Sequence, residues 1–161
     1  MTTLYVVRHA IAEQRDPERW PEDGARPLSA KGEARFRRAA RGLRRIAADV
    51  DVVLSSPYVR AWRTAQILHE EASWPAPQRC EALEAERTPG DGIAALNEHG
   101  SAAGVAVVGH EPYLSGLVSD LAGDFALDLK KGAVVCLETA GGSGTVRWIA
   151  TPRILRALAG G

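Results

Sequence analysis

The sequence predicts a three-layer α/β/α sandwich built on a mainly parallel central sheet, with an antiparallel hairpin towards its C-terminal end. Three observations carry this. Four short apolar runs rich in β-branched residues, Leu4–Val7, Val50–Leu54, Val105–Val108 and Ala133–Leu137, punctuate the chain. Three of them are apolar almost throughout, as strands are when helices cover both sheet faces. Segments of helical periodicity lie between them, and that alternation favours parallel strands. A fifth run, Thr145–Ala150, follows Gly141-Gly142-Ser143-Gly144, and a glycine-rich turn between two strand-like runs predicts a hairpin. At 161 residues and 45% hydrophobic content, the chain is expected to form one domain over residues 1–161. Two domains would each be small and poorly buried.

The elements follow in order. After Leu4–Val7 comes the longest irregular stretch, Ile11–Pro27, rich in charge and turn formers (Glu13, Asp16, Pro17, Pro21, Asp23, Gly24). A loop of this length in a compact domain is usually functional or disordered. Ser29 is placed to cap a helix whose Phe36, Ala39, Ala40, Leu43, Ile46 and Ala47 share one face, with arginines filling the other. A second helix is expected to start at Ser56-Pro57, where a proline has no needed N–H to lose, and to continue through Ala61, Ala65, Ile67 and Leu68. A weaker helical pattern covers Gly92–Glu98. Another starts near Pro112 with Leu114, Leu117, Val118 and Leu121 on one side, and Ile154–Ala159 forms a short tail helix. The chain contains no internal repeat.

Bulk properties exclude several functions. Twenty Lys and Arg balance twenty Asp and Glu, so no overall charge draws the chain to nucleic acid or to an anionic membrane. Any anion site must be a local cluster of cations. Cys80 and Cys136 are far apart and follow no CxxC spacing, which suits a reducing compartment and suggests neither a disulfide framework nor a zinc site. The segment MTTLYVVRH has neither the basic start nor the apolar stretch of a secretory signal, and no apolar run reaches membrane-spanning length. A cytoplasmic location is the expectation.

The reactive residues gather at strand ends. His9 follows Leu4–Val7 with only Arg8 between, and His110 follows Val105–Val108 with only Gly109 between. The run Val50–Leu54 ends at Ser55-Ser56-Pro57, and Arg60 lies in the first turn of the next helix. Ligand sites of such sheets lie outside the carboxyl ends of the strands. That edge thus collects two imidazoles and two guanidiniums with almost no acidic residue among them. Arginine forks match phosphate oxygens, and a helix N-terminus adds oriented N–H groups. A neutral imidazole is a competent nucleophile towards phosphorus, and neighbouring arginines depress its pKa. A second imidazole, if protonated, adds a cationic donor.

Other readings of these residues are weaker. A metal held by His9 and His110 lacks a third ligand and would be repelled by Arg8 and Arg60. His69 and His99 lie in charged helical surroundings and read as surface residues. Cys80 has no partner that would make it a nucleophile, and Gly141–Gly144 is followed by neither a Walker lysine nor a helix. The run Arg35, Arg37, Arg38, Arg41, Arg44, Arg45 reads as a solvated helix face that could dock an acidic partner.

With these residues in place, the sequence resembles the histidine phosphatase superfamily (phosphoglycerate mutase-like), and within it the short SixA-type phosphohistidine phosphatases. The family's opening strand and Arg-His-Gly correspond to Val6-Val7-Arg8-His9-Ala10. Its Arg-Pro-Leu-Ser/Thr segment leading to a glycine is Arg26-Pro27-Leu28-Ser29-Ala30-Lys31-Gly32. Ser56-Pro57-Tyr58-Val59-Arg60-Ala61 with Thr64-Ala65, and Val108-Gly109-His110-Glu111-Pro112, complete an ordered set spanning most of the chain. The resemblance implies that His9 is transiently phosphorylated, that Arg8, Arg60 and His110 bind the phosphoryl group, that Arg26 adds a contact, and that no metal or other cofactor is needed.

The chain departs from the family's pattern in two places. Ala10 replaces the usual glycine, which a backbone with φ below zero accommodates. Larger relatives use a mid-chain carboxyl group as general acid. Here the corresponding stretch is Glu81–Asp91, where Glu84 and Glu86 are the candidate donors and no motif selects between them. A poorly defined acid suits P–N hydrolysis, and the lack of covering insertions favours an open site. The expected substrate is therefore phosphohistidine on a partner protein. The alternatives are a small phosphomonoester or a non-catalytic phosphate-binding module, and the intact set of two Arg and two His argues against the last.

Overall fold

The computed structural model describes residues 1–124 and 126–160. It contains strands β1 (Thr2–Arg8), β2 (Val52–Ser55), β3 (Gln78–Arg79), β4 (Gly104–Gly109), β5 (Val134–Ala140) and β6 (Ser143–Ala150). The helices are α1 (Ala30–Leu43), α2 (Val59–Ala72), α3 (Pro89–Asn97), α4 (Tyr113–Ala122) and α5 (Pro152–Leu158). The strands form one sheet in the order β3-β2-β4-β1-β5-β6. β1 to β4 are parallel, and β5 pairs antiparallel with both β1 and β6. The three-layer fold expected from the sequence is the one observed. β3 has only two residues, both exposed, too short and polar for periodicity to reveal.

Although these runs are apolar throughout, each still divides its side chains between two faces. Tyr5 and Val7 of β1, Ala106 and Val108 of β4, and Val134 and Cys136 of β5 join α1, α2 and α5 in one core. Leu4 and Val6, Val105 and Val107, and Val135 and Leu137 join α3 and α4 in the other. The period of two sends alternate residues to opposite helical layers. β6 is half exposed and alternates accordingly. Gly141 (φ 58°) and Gly142 (φ 83°) turn the chain between β5 and β6. Two consecutive positive φ values are what a type I′ hairpin turn requires, and glycine adopts them without strain.

Helix starts follow local chemistry. The Ser29 side chain accepts a hydrogen bond from the Gly32 N–H (2.9 Å), and Thr151 does the same for Ile154 (3.3 Å), ahead of Pro152 in the first turn of α5. Two boundary expectations are corrected. α2 starts at Val59 rather than Ser56-Pro57. The Ser56 N–H prolongs the sheet by donating to the Val108 carbonyl (3.0 Å), and its hydroxyl accepts from the Tyr58 N–H (3.3 Å), so the chain has still to turn. α1 ends at Leu43, and Ile46 lies in the following turn, 41% exposed rather than on the buried face.

The α1 arginine face is also more structured than a solvated surface. Arg37 and Arg41, with Arg63 of α2, pair with Glu33, Glu70 and Glu71 between the two helices. Such partly exposed pairs are worth roughly 0–1 kcal/mol each, so packing rather than charge holds these helices.

Gly32 admits the loop that follows the nucleophile candidate. A Cβ there would lie 2.0 Å from the Ile11 carbonyl oxygen, whereas one at Gly90 would meet nothing closer than Thr88 Oγ1 at 3.8 Å. Gly32→Ala should therefore lower stability by about 1–3 kcal/mol, the usual range for overpacking, while Gly90→Ala should cost nothing comparable. Urea denaturation of the two variants checks this, and equal midpoints would refute it.

Candidate active site

The sheet register builds the site. Arg8 pairs with Gly109 across β1 and β4, and Ser55 pairs with Val108 across β2 and β4. The residues that follow, His9, His110 and Ser56, therefore emerge side by side at the carboxyl edge. The His9 N–H donates to the Gly109 carbonyl (3.0 Å), and the two imidazole rings lie 5.4 Å apart. Among the described residues, the buried polar side chains are His9, Ser55, Ser56, Arg60, Thr64 and His110. All six belong to these strand ends or to the first turns of α2. Burying so many polar groups in one place costs free energy unless they are paired or serve a ligand.

Each ring has a defined partner. His9 Nδ1 is 2.7 Å from the Ala10 carbonyl oxygen. A carbonyl only accepts, so Nδ1 carries the proton and Nε2 keeps its lone pair. His110 Nε2 lies 2.8 Å from Ser56 Oγ. His9, 6% exposed, is pushed down to a pKa of about 3, chiefly by burial and further by Arg60, Arg8 and Lys131. His110, 2% exposed, is pushed down to about 3 by burial, by His9 and by Arg60. Both rings are thus neutral in the free site. The protonated second imidazole that the sequence left open would need the negative charge of an arriving ligand.

The guanidiniums are anchored at one end and free at the other. Arg8 donates through Nη1 to the Leu129 carbonyl (2.8 Å). Arg60 donates through Nη1 to the Asp23 carbonyl (2.8 Å), and its Nη2 lies 3.0 Å from Asp23 Oδ2. Arg8 Nε, Arg60 Nε and His110 Nδ1 are the buried side-chain polar atoms without a partner among the described residues. All three sit on residues singled out with His9 in the sequence.

The long loop contributes a residue that the sequence did not single out. Asp23 clamps Arg60 and is itself held by Arg26 Nε (2.9 Å), whose Nη1 donates to the Glu13 carbonyl (2.8 Å). Hydrogen bonding from Arg26 first, and the charges of Arg60 and Arg26 next, keep the Asp23 carboxyl below the usual range. An acidic group does enter the cluster, but as a counter-ion. Arg26 lies at the end of the loop and holds Asp23, and its charge is felt at Arg60 and His110. Thr64, one helical turn after Arg60, donates to the Arg60 carbonyl (2.7 Å) and accepts from the Ala10 N–H (3.0 Å). It ties the helix to the residue after His9. Ala10 is buried, and Ser73 is the only described non-glycine residue with positive φ, so the alanine methyl fits as anticipated. Ser56 and Thr64 were visible as motif letters, but Asp23 was hidden by its distance along the chain.

The proton-donor candidates lie at the rim. The Tyr58 hydroxyl donates to Glu86 Oε2, and the Tyr58 ring lies 5.1 Å from His110. Burial and Glu86 push the Tyr58 pKa up to about 12. The Glu84 carboxylate is half-buried and makes no hydrogen bond among the described residues. Elsewhere His69 is exposed, whereas His99 is half-buried and lines a cavity at the opposite end of the sheet. Burial raises the Cys80 pKa, which makes its thiol a poor nucleophile. No group of three or more His, Cys, Asp or Glu among the described residues is placed to hold a metal ion.

Residues 4–91 match the family model of the histidine phosphatase superfamily (branch 1). The chain belongs to this superfamily. It is 34% identical over 141 residues to an uncharacterized protein of Picosynechococcus sp., covering 84% of either chain. The fold is similar to that of the protein histidine phosphatase SixA complexed with tungstate, with a TM-score of 0.85, 24% identity and coverage of 94% of this chain and 98% of that one. It is also similar to a SixA structure from Agrobacterium tumefaciens (TM-score 0.82, 18% identity, 94% and 99% coverage). An α-ribazole-5′-P phosphatase structure from Escherichia coli gives a TM-score of 0.73 at 20% identity (96% and 99% coverage).

The imidazole titrations provide a direct check. Unfolded histidines take up protons near 6.5, whereas these two do so only near 3. Their burial therefore favours the folded state fully above pH 6.5 and less as pH falls towards 3. In the protein without phosphate, the His9 and His110 ring resonances should keep their neutral shifts far below pH 6.5. Midpoints near 6.5 for both would contradict this geometry.

Proposed function

We propose that the protein is a metal-independent phosphatase that uses His9 as nucleophile and acts on phosphohistidine carried by a partner protein. The observation carrying this reading is the set of three unpartnered buried nitrogens on Arg8, Arg60 and His110 around a neutral His9. Such nitrogens suit phosphoryl oxygens, and held in advance they stabilise charge developing in the transition state. The Nε2 lone pair of His9 would attack phosphorus, the bond to the substrate imidazole would break, and that imidazole would leave with a proton taken from solvent. Water would then cleave the P–N bond of phospho-His9, releasing phosphate and restoring His9. Arg26 acts through Asp23 in this reading, which would hold Arg60 for the phosphoryl group.

The acid–base groups favour a phosphoramidate. Asp23 is committed to two arginines and holds its proton weakly, and Glu86 is occupied by Tyr58. An imidazole leaving group needs less help from an acid than an alkoxide does. Free thiols at Cys80 and Cys136 suit a reducing compartment, and we place the protein in the cytoplasm. A second reading, a small phosphomonoesterase, draws on the Glu86–Tyr58 pair beside His110, through which a carboxyl group could serve an alkoxide. The E. coli neighbour is named for such a substrate.

Brief reaction with a labelled phosphohistidine protein should give a phosphoenzyme stable to alkali and labile to acid. His9→Ala should abolish it and lower turnover by at least about a thousandfold. Arg60→Ala, removing one oriented donor, should lower turnover by about a hundredfold. Label persisting in His9→Ala would overturn the assignment of His9. Faster turnover of monoesters than of phosphohistidine protein would favour the second reading.

A further inference from the structure

We infer that the basic groove beginning at Arg8 is a docking surface for an acidic face of the phosphorylated partner protein, an inference that rests on the phosphohistidine-protein reading above. The groove is lined by Arg8, Arg35, Lys130, Lys131, Arg153 and Arg156 together with Ile11 and, among the described residues, by no carboxylate. The whole chain has no net formal charge, so this concentration is a segregation of charge. Arg37 and Arg41 of α1 and Arg63 of α2 are instead neutralised by Glu33, Glu70 and Glu71. Within the groove, among the described residues, only Lys130 forms an ion pair, a well-exposed one with Asp128 (2.7 Å).

The cations come from three segments held in fixed relation to the reacting atoms. Arg35 projects from α1, and Arg153 and Arg156 come from α5, which packs on α1. Lys130 and Lys131 precede Gly132, whose N–H donates to the Arg8 and His9 carbonyls (3.1 and 3.0 Å). Gly132 has φ 82°, and a Cβ there would lie 3.3 Å from the Phe36 ring, so the connection is pinned close against both β1 and α1. The charge of Lys131 is felt at His9. The groove therefore shares Arg8 with the site and extends from it along α1, α5 and the connection before β5.

Exposure selects the kind of occupant. Arg35, Lys130, Lys131 and Arg153 are exposed on long stems, an arrangement suited to meeting a broad surface rather than enclosing a small polyanion. Ile11, 36% exposed, and Pro152 add apolar contacts of the kind a protein interface takes. Complementary charge across such a surface would speed association and set orientation more than it would deepen affinity.

The test uses Arg35→Glu/Arg153→Glu, both changes at exposed positions outside the catalytic machinery. The probes are a labelled Glu-rich peptide without phosphate, its Lys-rich counterpart, tripolyphosphate and a single-stranded oligonucleotide. The Glu-rich peptide should bind the wild type more tightly than the Lys-rich one. Its binding should weaken about tenfold in the double variant, and it should weaken further with added salt. With phosphohistidine placed in the Glu-rich peptide, kcat/KM should fall by a similar factor, while hydrolysis of free phosphohistidine stays unchanged. Equal binding of the two peptides, or no response to the double variant, would overturn the docking surface. Tighter, variant-sensitive binding of tripolyphosphate or the oligonucleotide would also overturn it. Variant-sensitive peptide binding without any phosphohistidine hydrolysis would leave the docking surface standing and remove the substrate reading.

Discussion

The parallel pairing of β1 with β4 is the constraint on which the site depends. It places Arg8 opposite Gly109, so the residues immediately beyond, His9 and His110, are forced into one small volume. Two imidazoles and two guanidiniums would not choose this closeness by themselves, because none carries the charge to offset another. The sheet imposes it, and the surrounding strands and helices prevent relaxation. The consequence is electrostatic: burial and mutual positive potential keep both rings neutral.

The same confinement accounts for the auxiliary residues. Thr64 links Ala10 to the Arg60 backbone, Ser56 meets His110, and Asp23 holds the far end of Arg60. Each restrains a side chain that would otherwise lose its position to solvent or to repulsion. Asp23 is instructive because a lone carboxylate near two guanidiniums could look like a proton donor. Arg26 and Arg60 hold it ionised, so its chemistry is that of a counter-ion. The long loop is thus not loosely attached; it closes over α2 through Asp23 and rests against α1 through the approach of Ile11 to Gly32.

Charge is distributed unevenly in a chain that is neutral as a whole. Between α1 and α2, arginines and glutamates cancel in exposed networks that contribute little stability. Beside Arg8, of the cations from α1, α5 and the connection before β5, only Lys130 forms an ion pair among the described residues. The sequence suggested that the α1 arginines could dock an acidic partner. In the fold, Arg37 and Arg41 of that run are committed to Glu71, and it is Arg35 that reaches the groove.

The sequence by itself determined the strands other than β3, their alternation with helices and the gathering of His9, Arg8, Arg60 and His110 at one edge of the sheet. These follow from local properties: apolar runs, caps and dipeptides at strand ends are read within a few residues. It misplaced the start of α2 and the burial of Ile46, because the sheet bond made by Ser56 and the turn after Leu43 depend on distant neighbours. It also passed over the two-residue β3, gave Arg26 only as a contact implied by resemblance, and could not choose between Glu84 and Glu86, whose surroundings are assembled from separate segments. Only the tertiary structure decided that Asp23 meets Arg60 across 37 positions, and that Glu86 meets Tyr58. Long-range ion pairs and hydrogen bonds leave no periodic trace in a sequence, since their spacing is set by where whole elements pack.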